Sequence, residues 1–131
     1  MSIKRLVLIL VSVFALVSMS PTLAHATTEE VFICSLNEGK TMEDLMNMAS
    51  QLVKAIRDLK SGGAYQAQIL TPIASQDLST VIWIGLMPDF ATLAAIDDEF
   101  DASAVAKKLN SMISEILDCE SRSFWQVHDV K

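Results

Sequence analysis

The chain has few of the residues on which most nucleic-acid sites and common catalytic motifs depend. Its 131 residues include ten lysines and arginines against sixteen acidic residues, a net charge of −6, with two histidines and two cysteines. Such a balance argues against binding to nucleic acid or to anionic membranes, since both need clustered basic residues. No glycine-rich phosphate loop, G-x-S-x-G, H-E-x-x-H or M-x-C-x-x-C motif is present. Nucleotide, hydrolase and zinc functions therefore have no support, and we predict no metal site.

The amino terminus has the pattern of a signal peptide: a basic start, an uncharged aliphatic stretch and two small residues before a cleavage point. These parts are, in order, Lys4 with Arg5, residues 6–19, and Ala24 with Ala26. The aliphatic stretch is shorter than the roughly twenty apolar residues that a transmembrane helix needs. We therefore predict that residues 1–26 are a cleaved signal peptide. The mature chain is expected to be periplasmic or secreted, with no membrane association.

The mature chain, residues 27–131, has the size of one small domain. Cleavage leaves 105 of the 131 residues and removes two of the ten basic residues but no acidic one, so the net charge becomes −8. An acidic balance of this kind is the ordinary basis of solubility. We predict a single domain.

Cys34 and Cys119 are the only cysteines, so one intramolecular pairing is possible. In an oxidising compartment we expect a disulfide between them. Closing the 85-residue separation would stabilise the fold by roughly 4 kcal/mol. Two unpaired buried thiols are the alternative, and a redox-active pair is disfavoured because C-x-x-C spacing is absent. Whether the bridge joins paired strands or clips a loop is left open.

Hydrophobic patterning predicts the element order β-α-β-β-α-β, with a short extra helix after the third strand. The predicted strands cover residues 31–36, 65–71, 80–87 and 121–130. The predicted helix starts are Thr41, Asp89, and either Asp101 or Ser103. This order predicts a ferredoxin-like α+β fold, a four-stranded antiparallel sheet with helices on one face. The first and third strands are expected to be central.

The first helix has the clearest signal. Thr41 is a suitable N-cap, and Asp44 follows at capping-box spacing. The predicted core stripe is Leu45, Ala49, Leu52, Ile56 and Leu59, widened by Met42, Met46 and Val53. Met42 and Met46 are therefore interpreted as core residues rather than as copper(I) ligands. The acidic residues 97–101 are likewise interpreted as a solvated helix end, not as a Ca²⁺ loop.

The third strand is apolar on both faces, with Trp83 on one side and Ile84 on the other. Because two helices cover only one face of such a sheet, we predict a homodimer with sheets packed face to face. The element order and the entry from Trp83 to Pro88 into a helix resemble the dimeric α/β-barrel superfamily. The resemblance implies relatives among cofactor-independent monooxygenases, haem-handling enzymes and uncharacterised domains. Residues 37–40 are also similar to small exported bacterial proteins of unknown function.

Four residues are candidates for lining a ligand pocket: Tyr65, Trp83, Trp125 and His128. The three aromatic residues combine apolar surface with a polar group, and His128 is the only histidine of the mature chain. The alternatives are core or interface packing for the aromatic residues and an inert, exposed position near the chain end for His128. No catalytic residue is assigned.

These observations favour an exported homodimeric module that binds a small apolar or aromatic molecule, or a protein, without a cofactor. The first alternative is a cofactor-independent monooxygenase or haem-handling enzyme of the dimeric α/β-barrel type, with His128 or Tyr65 available for acid–base work. The second alternative is an inhibitor or chaperone-like domain.

Overall fold

The protein was described from a computed structural model, which covers residues 28–74 and 77–130. The strands are Thr28–Leu36 (β1), Gln66–Leu70 (β2), Thr80–Met87 (β3) and Leu117–Gln126 (β4). The helices are Met42–Arg57 (α1), Phe90–Asp101 (α2) and Ala106–Ile116 (α3). None of these helices has both the length and the apolar character to cross a membrane. The predicted signal peptide and its cleavage site lie outside the described residues.

The four strands form one antiparallel sheet in the order β2-β3-β1-β4. This confirms the ferredoxin-like α+β fold, with β1 and β3 in the centre. Two helices, α2 and α3, stand between β3 and β4, where the β-α-β-β-α-β order has one. The register sets Phe32 opposite Trp83 and Glu30 opposite Gly85. Because side chains alternate along a strand, all four positions belong to the face that the helices cover.

Helix α1 begins as predicted but buries a different methionine. The Thr41 hydroxyl accepts from the Asp44 N–H, and the Asp44 carboxylate accepts from the Thr41 N–H, which confirms the capping box. Met48 is 1% exposed, whereas Met42 and Met46 are 40% and 51% exposed. The interpretation of Met42 and Met46 as core residues is therefore wrong. Since α1 packs against α3, its buried stripe is turned towards Met48.

Asp89 caps α2 as predicted, with its carboxylate accepting from the Thr92 N–H at 2.7 Å. The predicted cap of the next helix is wrong. Asp101 is the last residue of α2, and α3 begins at Ala106 without a side-chain cap. The reason is that backbone carbonyls satisfy the amides here, as in the bond from Ser103 N–H to Phe100 O. The turn thus needs no side-chain acceptor.

The fourth strand starts earlier than predicted and ends at Gln126. Its first half lacks a regular alternation of apolar and polar residues, and pairing with β1 makes it a strand. Cys34 lies opposite Cys119, and a register shift between Ile33 and Cys34 then sets Glu29 opposite Trp125. The Cys34–Cys119 disulfide therefore joins paired strands next to a β-bulge.

Candidate binding cavity between sheet and helices

A cavity of about 360 Å³ lies between the covered face of the sheet and the three helices. Its volume falls at the lower end of the range for small-molecule sites. Six of its lining residues carry most of its chemistry: Glu30, Phe32, Tyr65, Trp83, Phe100 and Arg122. The space is partly open to solvent, and most of its lining surface is apolar.

Tyr65 and Trp83 form the aromatic wall of the cavity. Trp83 comes from the middle of β3, and Tyr65 directly precedes β2. Both are buried, and the indole Nε1 of Trp83 donates a hydrogen bond to the Tyr65 hydroxyl at 3.1 Å. Arg57 fixes the backbone of Tyr65, since its Nε donates to the Tyr65 carbonyl at 2.9 Å.

Gly85 provides the space that the Tyr65 ring occupies. A Cβ at position 85 would lie 2.9 Å from the Tyr65 hydroxyl oxygen and 3.0 Å from its Cε2. Both distances are shorter than normal van der Waals contact. Glycine is therefore needed on β3 for the tyrosine to reach Trp83.

A cluster of three charged side chains, of which only Glu30 is buried, closes the other side of the cavity. Glu30, on β1, has a side chain only 8% exposed. Arg122, on β4, donates from Nε to Oε1 of Glu30, and its Nη2 forms an ion pair with the same oxygen. Nη2 also contacts Oδ2 of Asp97, on α2, at 2.6 Å. The cluster thus ties β1, β4 and α2 together.

Burial and pairing set the charges of these groups. Burial raises the pKa of Glu30, against the opposing effect of Arg122. Burial acts against the charged form of Arg122, but its hydrogen bonds to Asp97 and Glu30 leave its pKa raised. Burial also raises the pKa of Tyr65 well above its ordinary range. The phenol is consequently neutral, and the guanidinium is charged, at physiological pH.

Arg122 also stacks on aromatic rings. Its guanidinium carbon lies 5.5 Å from the centroid of Phe32 and 4.9 Å from that of Phe124. Phe124 in turn contacts Phe90 edge-on at 5.5 Å. Distances under about 6 Å allow cation–π attraction, so the rings and the carboxylates hold the guanidinium in place together.

The other face of the sheet, here called the open face, has an apolar centre with polar residues around it, and no helix of the described residues covers it. Its apolar residues are Val31, Ile33, Leu70, Ile82, Ile84, Leu86 and Trp125. Its polar residues are Glu29, Gln66, Gln68, Ser121 and Ser123. Ile33, Leu70 and Trp125 are 41%, 47% and 58% exposed. A sheet face in contact with water normally carries polar residues at such positions.

The structure brings together two of the four predicted pocket residues. Tyr65 and Trp83 meet in the cavity. Trp125 lies on the open face, where its Nε1 donates to the Ser123 hydroxyl at 2.9 Å. His128, predicted on the last strand, follows the end of β4, is exposed and does not line the cavity.

Sequence reasoning missed Glu30, Asp97 and Arg122. The predicted first strand began at residue 31, whereas β1 begins at Thr28. A strand extended to Thr28 would have placed Glu30 on the same face as Phe32, which is an unusual position for a carboxylate. Asp97 was interpreted only as part of a solvated acidic stretch. In the described part of the chain, no group of three or more His, Cys, Asp or Glu side chains is arranged to hold a metal ion.

No protein-family model and no curated protein matches the sequence. Among solved structures, the chain is similar to SnoaB, a cofactor-independent oxygenase from Streptomyces nogalater. The TM-score is 0.59 at 6% identity, over 80% of this chain and 96% of that chain. It is also similar to an uncharacterised NIPSNAP domain protein from Burkholderia xenovorans, with a TM-score of 0.57 at 14% identity, over 79% and 94% of the two chains.

A conserved protein from Methanosarcina mazei gives a TM-score of 0.56 at 14% identity, over 79% and 95% of the two chains. Identities this low establish the fold alone. The protein is thus an α+β protein with a ferredoxin-like fold. The predicted resemblance is thus confirmed at the level of the fold.

Proposed function

We propose that the protein binds a small, largely apolar or aromatic molecule in the cavity between its sheet and its helices. The observation that carries this proposal is an aromatic-walled space of about 360 Å³ with a few fixed polar groups. Small-molecule sites typically combine mostly apolar walls with a small number of orienting polar groups. Phe32, Tyr65 and Trp83 supply the walls, and the Glu30–Arg122 pair supplies the polar groups.

The proposed assembly is a homodimer joined through the open face. A two-fold axis would set the aliphatic residues of one copy against the same residues of the other. Burying Ile82, Ile84 and Leu86 in this way would remove their remaining apolar surface from water, which is the main driving force for association. We further propose that the protein works outside the cytoplasm. The signal-peptide pattern of residues 1–26 and the Cys34–Cys119 disulfide support this location.

Binding without a cofactor is favoured over catalysis by the state of the titratable groups in the cavity. Glu30 is held in an ion pair by Arg122, and the raised pKa of Tyr65 keeps its phenol protonated and therefore unavailable as a base. The second candidate is a cofactor-independent oxygenase, as SnoaB is described. The observation that favours it is the raised pKa of Glu30, which brings a carboxylate closer to the range of a general base.

The test uses the neutral fluorescent probe N-phenyl-1-naphthylamine and two neighbouring residues of α3. Ile113 lines the cavity, whereas Ser114 is exposed. We expect the wild-type protein to bind the probe with a rise in emission. Ile113→Trp should weaken binding at least tenfold by filling the space, and Ser114→Trp should leave binding unchanged.

Native mass spectrometry of the same samples should give twice the mass of one mature chain. No probe binding by the wild type, or equal binding by Ile113→Trp, would overturn the cavity proposal. Oxygen uptake measured with any molecule that co-purifies decides between binding and the oxygenase candidate. Consumption of oxygen that is lost in Glu30→Gln would favour the oxygenase.

A further inference from the structure

One hydrogen-bond acceptor in the cavity has no protein partner. Both contacts from Arg122 end on the same oxygen of Glu30, Oε1. The second oxygen, Oε2, accepts no hydrogen bond from the described residues. Because an ionised carboxylate has acceptor positions on both oxygens, half of this group is unused.

One donor beside it is also unused. The Tyr65 hydroxyl accepts from Trp83 at 3.1 Å, but its own proton has no acceptor within residues 28–74 and 77–130. A phenol can donate and accept at the same time. The raised pKa of Tyr65 keeps this proton in place.

The unused donor and acceptor lie close to the same point of the sheet. The β1–β3 register sets Glu30 opposite Gly85. The Tyr65 hydroxyl oxygen is 2.9 Å from the position of a Cβ on Gly85. Both side chains also line the cavity. A single bound molecule can therefore contact both groups.

The unused oxygen of Glu30 is not sealed inside the protein. Among the described residues, Ser103 Oγ is the one fully buried side-chain polar atom without a partner. Because Oε2 of Glu30 has no partner and is not in that group, it is accessible to solvent or to a ligand through the cavity. Polar groups in the interior of native proteins are almost always hydrogen-bonded, so we expect a polar partner for this oxygen.

Resting on the proposed function, we infer that the ligand is a neutral, planar molecule with a hydrogen-bond donor next to an acceptor. Lactams and other cis-amides have this arrangement. The donor N–H would bind Oε2 of Glu30, and the carbonyl would accept from the Tyr65 hydroxyl. Glu30 and Asp97 would repel an anionic ligand, and Arg122 would repel a cationic one, so a neutral ligand is favoured. The rings of Phe32 and Trp83 suit a flat molecule.

Three bicyclic probes of similar size test this ligand class by displacement of N-phenyl-1-naphthylamine. 2-Quinolone carries a donor and an acceptor, quinoline carries an acceptor only, and naphthalene carries neither. We expect 2-quinolone to bind at least tenfold more tightly than naphthalene. This ranking needs no variant and is therefore independent of any effect on folding.

Two substitutions test the single hydrogen-bonding groups: one exchanges an acceptor for a donor, and the other removes a donor. Glu30→Gln keeps an oxygen for Arg122 but replaces the free acceptor with an N–H₂ donor. This substitution should lower the affinity for 2-quinolone at least tenfold and raise the affinity for quinoline. Tyr65→Phe should weaken 2-quinolone several-fold and leave naphthalene unchanged. Glu38→Gln, in the exposed turn after β1, is the matched control and should change none of the affinities.

The outcomes separate the two proposals. If no probe binds, naphthalene included, the proposed function itself is wrong. If all three probes bind equally and Glu30→Gln changes none of them, the cavity binds ligands but the inferred class is wrong. Tighter binding of quinoline by Glu30→Gln would be the strongest support, because a merely destabilised site would lose affinity for every probe.

Discussion

The two faces of the sheet are built from the same strands and have opposite chemistry. On the covered face, Glu30 and Arg122 form an ion pair beside Tyr65 and Trp83. On the open face, Ile84 lies between Ile82 and Leu86 along its strand and opposite Val31 on β1, and Gln68 on β2 is its one polar partner across the sheet. One residue along a strand is enough to pass from one chemistry to the other. A small domain can therefore give one face to ligand binding and the other to assembly.

The comparison also separates two kinds of energetic cost. Keeping the charge of Glu30 out of water is expensive unless it remains paired with Arg122. A water-exposed apolar face lowers solubility rather than folding stability, and self-association removes that cost.

The largest effect is expected from Ile84→Glu. A carboxylate in the centre of the open face would meet its own copy across the two-fold axis without solvent. We expect the dimerisation constant to fall more than about a thousandfold, or about 4 kcal/mol. Sedimentation velocity over a range of concentrations measures it.

Gln51→Glu, which adds the same charge on an exposed position of α1, should leave the dimer intact. The Ile84→Glu monomer should still bind N-phenyl-1-naphthylamine, because the cavity lies on the other face. A wild-type protein that is monomeric at micromolar concentration would rule out the proposed dimer.

Removing the disulfide should have the next largest effect. Cys34→Ser with Cys119→Ser opens a bridge that spans 85 residues. The free energy of unfolding should fall by roughly 4 kcal/mol, because the unfolded chain regains its freedom. Urea denaturation measures the change. Reductant should destabilise the wild type to a similar extent and leave the double variant unaffected; a reductant-sensitive double variant would contradict this explanation.

Gly85→Ala is expected to disturb the covered face alone. The added methyl group would press on the Tyr65 hydroxyl at 2.9 Å and on its ring at 3.0 Å. We expect a loss of about 1–3 kcal/mol of stability, as for other overpacked sites, together with weaker probe binding. Thermal unfolding measures the stability.

Gly63→Ala is the matched control, since a Cβ there meets nothing within 4 Å. Its effect should be neutral, or stabilising by about 0.4–1 kcal/mol, because the alanine restricts the unfolded chain. Equal destabilisation by both alanines would show that Gly85 is not specifically required beneath Tyr65.

The smallest effect is a pH dependence that comes from Glu30. Burial raises its pKa in the folded protein above the model value of 4.5. The unfolded chain therefore releases the proton first, and this contribution to stability is lost as pH rises from about 4.5 through the folded pKa. The stability of the wild type relative to Glu30→Gln should decrease over that interval. Urea titrations at several pH values measure it; a relative stability that increases with pH would show that pairing with Arg122 outweighs burial.

Much of the fold was predictable because its signals are local. The Thr41 capping box, the Asp89 cap and the bounds of β3 were confirmed. The alternation of Trp83 and Ile84 between two faces was confirmed as well, because a strand has a period of two residues. The predicted start of β4 and the predicted cap of α3 were wrong. Pairing with β1 extends β4 to an earlier start, and backbone hydrogen bonds take the place of a side-chain cap before α3.

The candidate site was only half predictable. Tyr65 and Trp83 were recognised as aromatic residues with a polar group. Glu30 and Arg122 are separated by 92 residues, and Arg122 and Asp97 by 25. No local pattern reports such contacts, because they depend on which strands are neighbours and in what register.

The sequence by itself determined the element order, the two-faced character of β3 and the single way in which the cysteines can pair. These features follow from local periodicity and from a count of two thiols. Only the tertiary structure decided that Met48 rather than Met46 is buried, that a bulge at Cys34 adjusts the β1–β4 register, and that Glu30 meets Arg122 beneath the helices. The physical reason is that helix packing and strand register are set by the whole sheet, and side chains distant in sequence meet only after both are fixed.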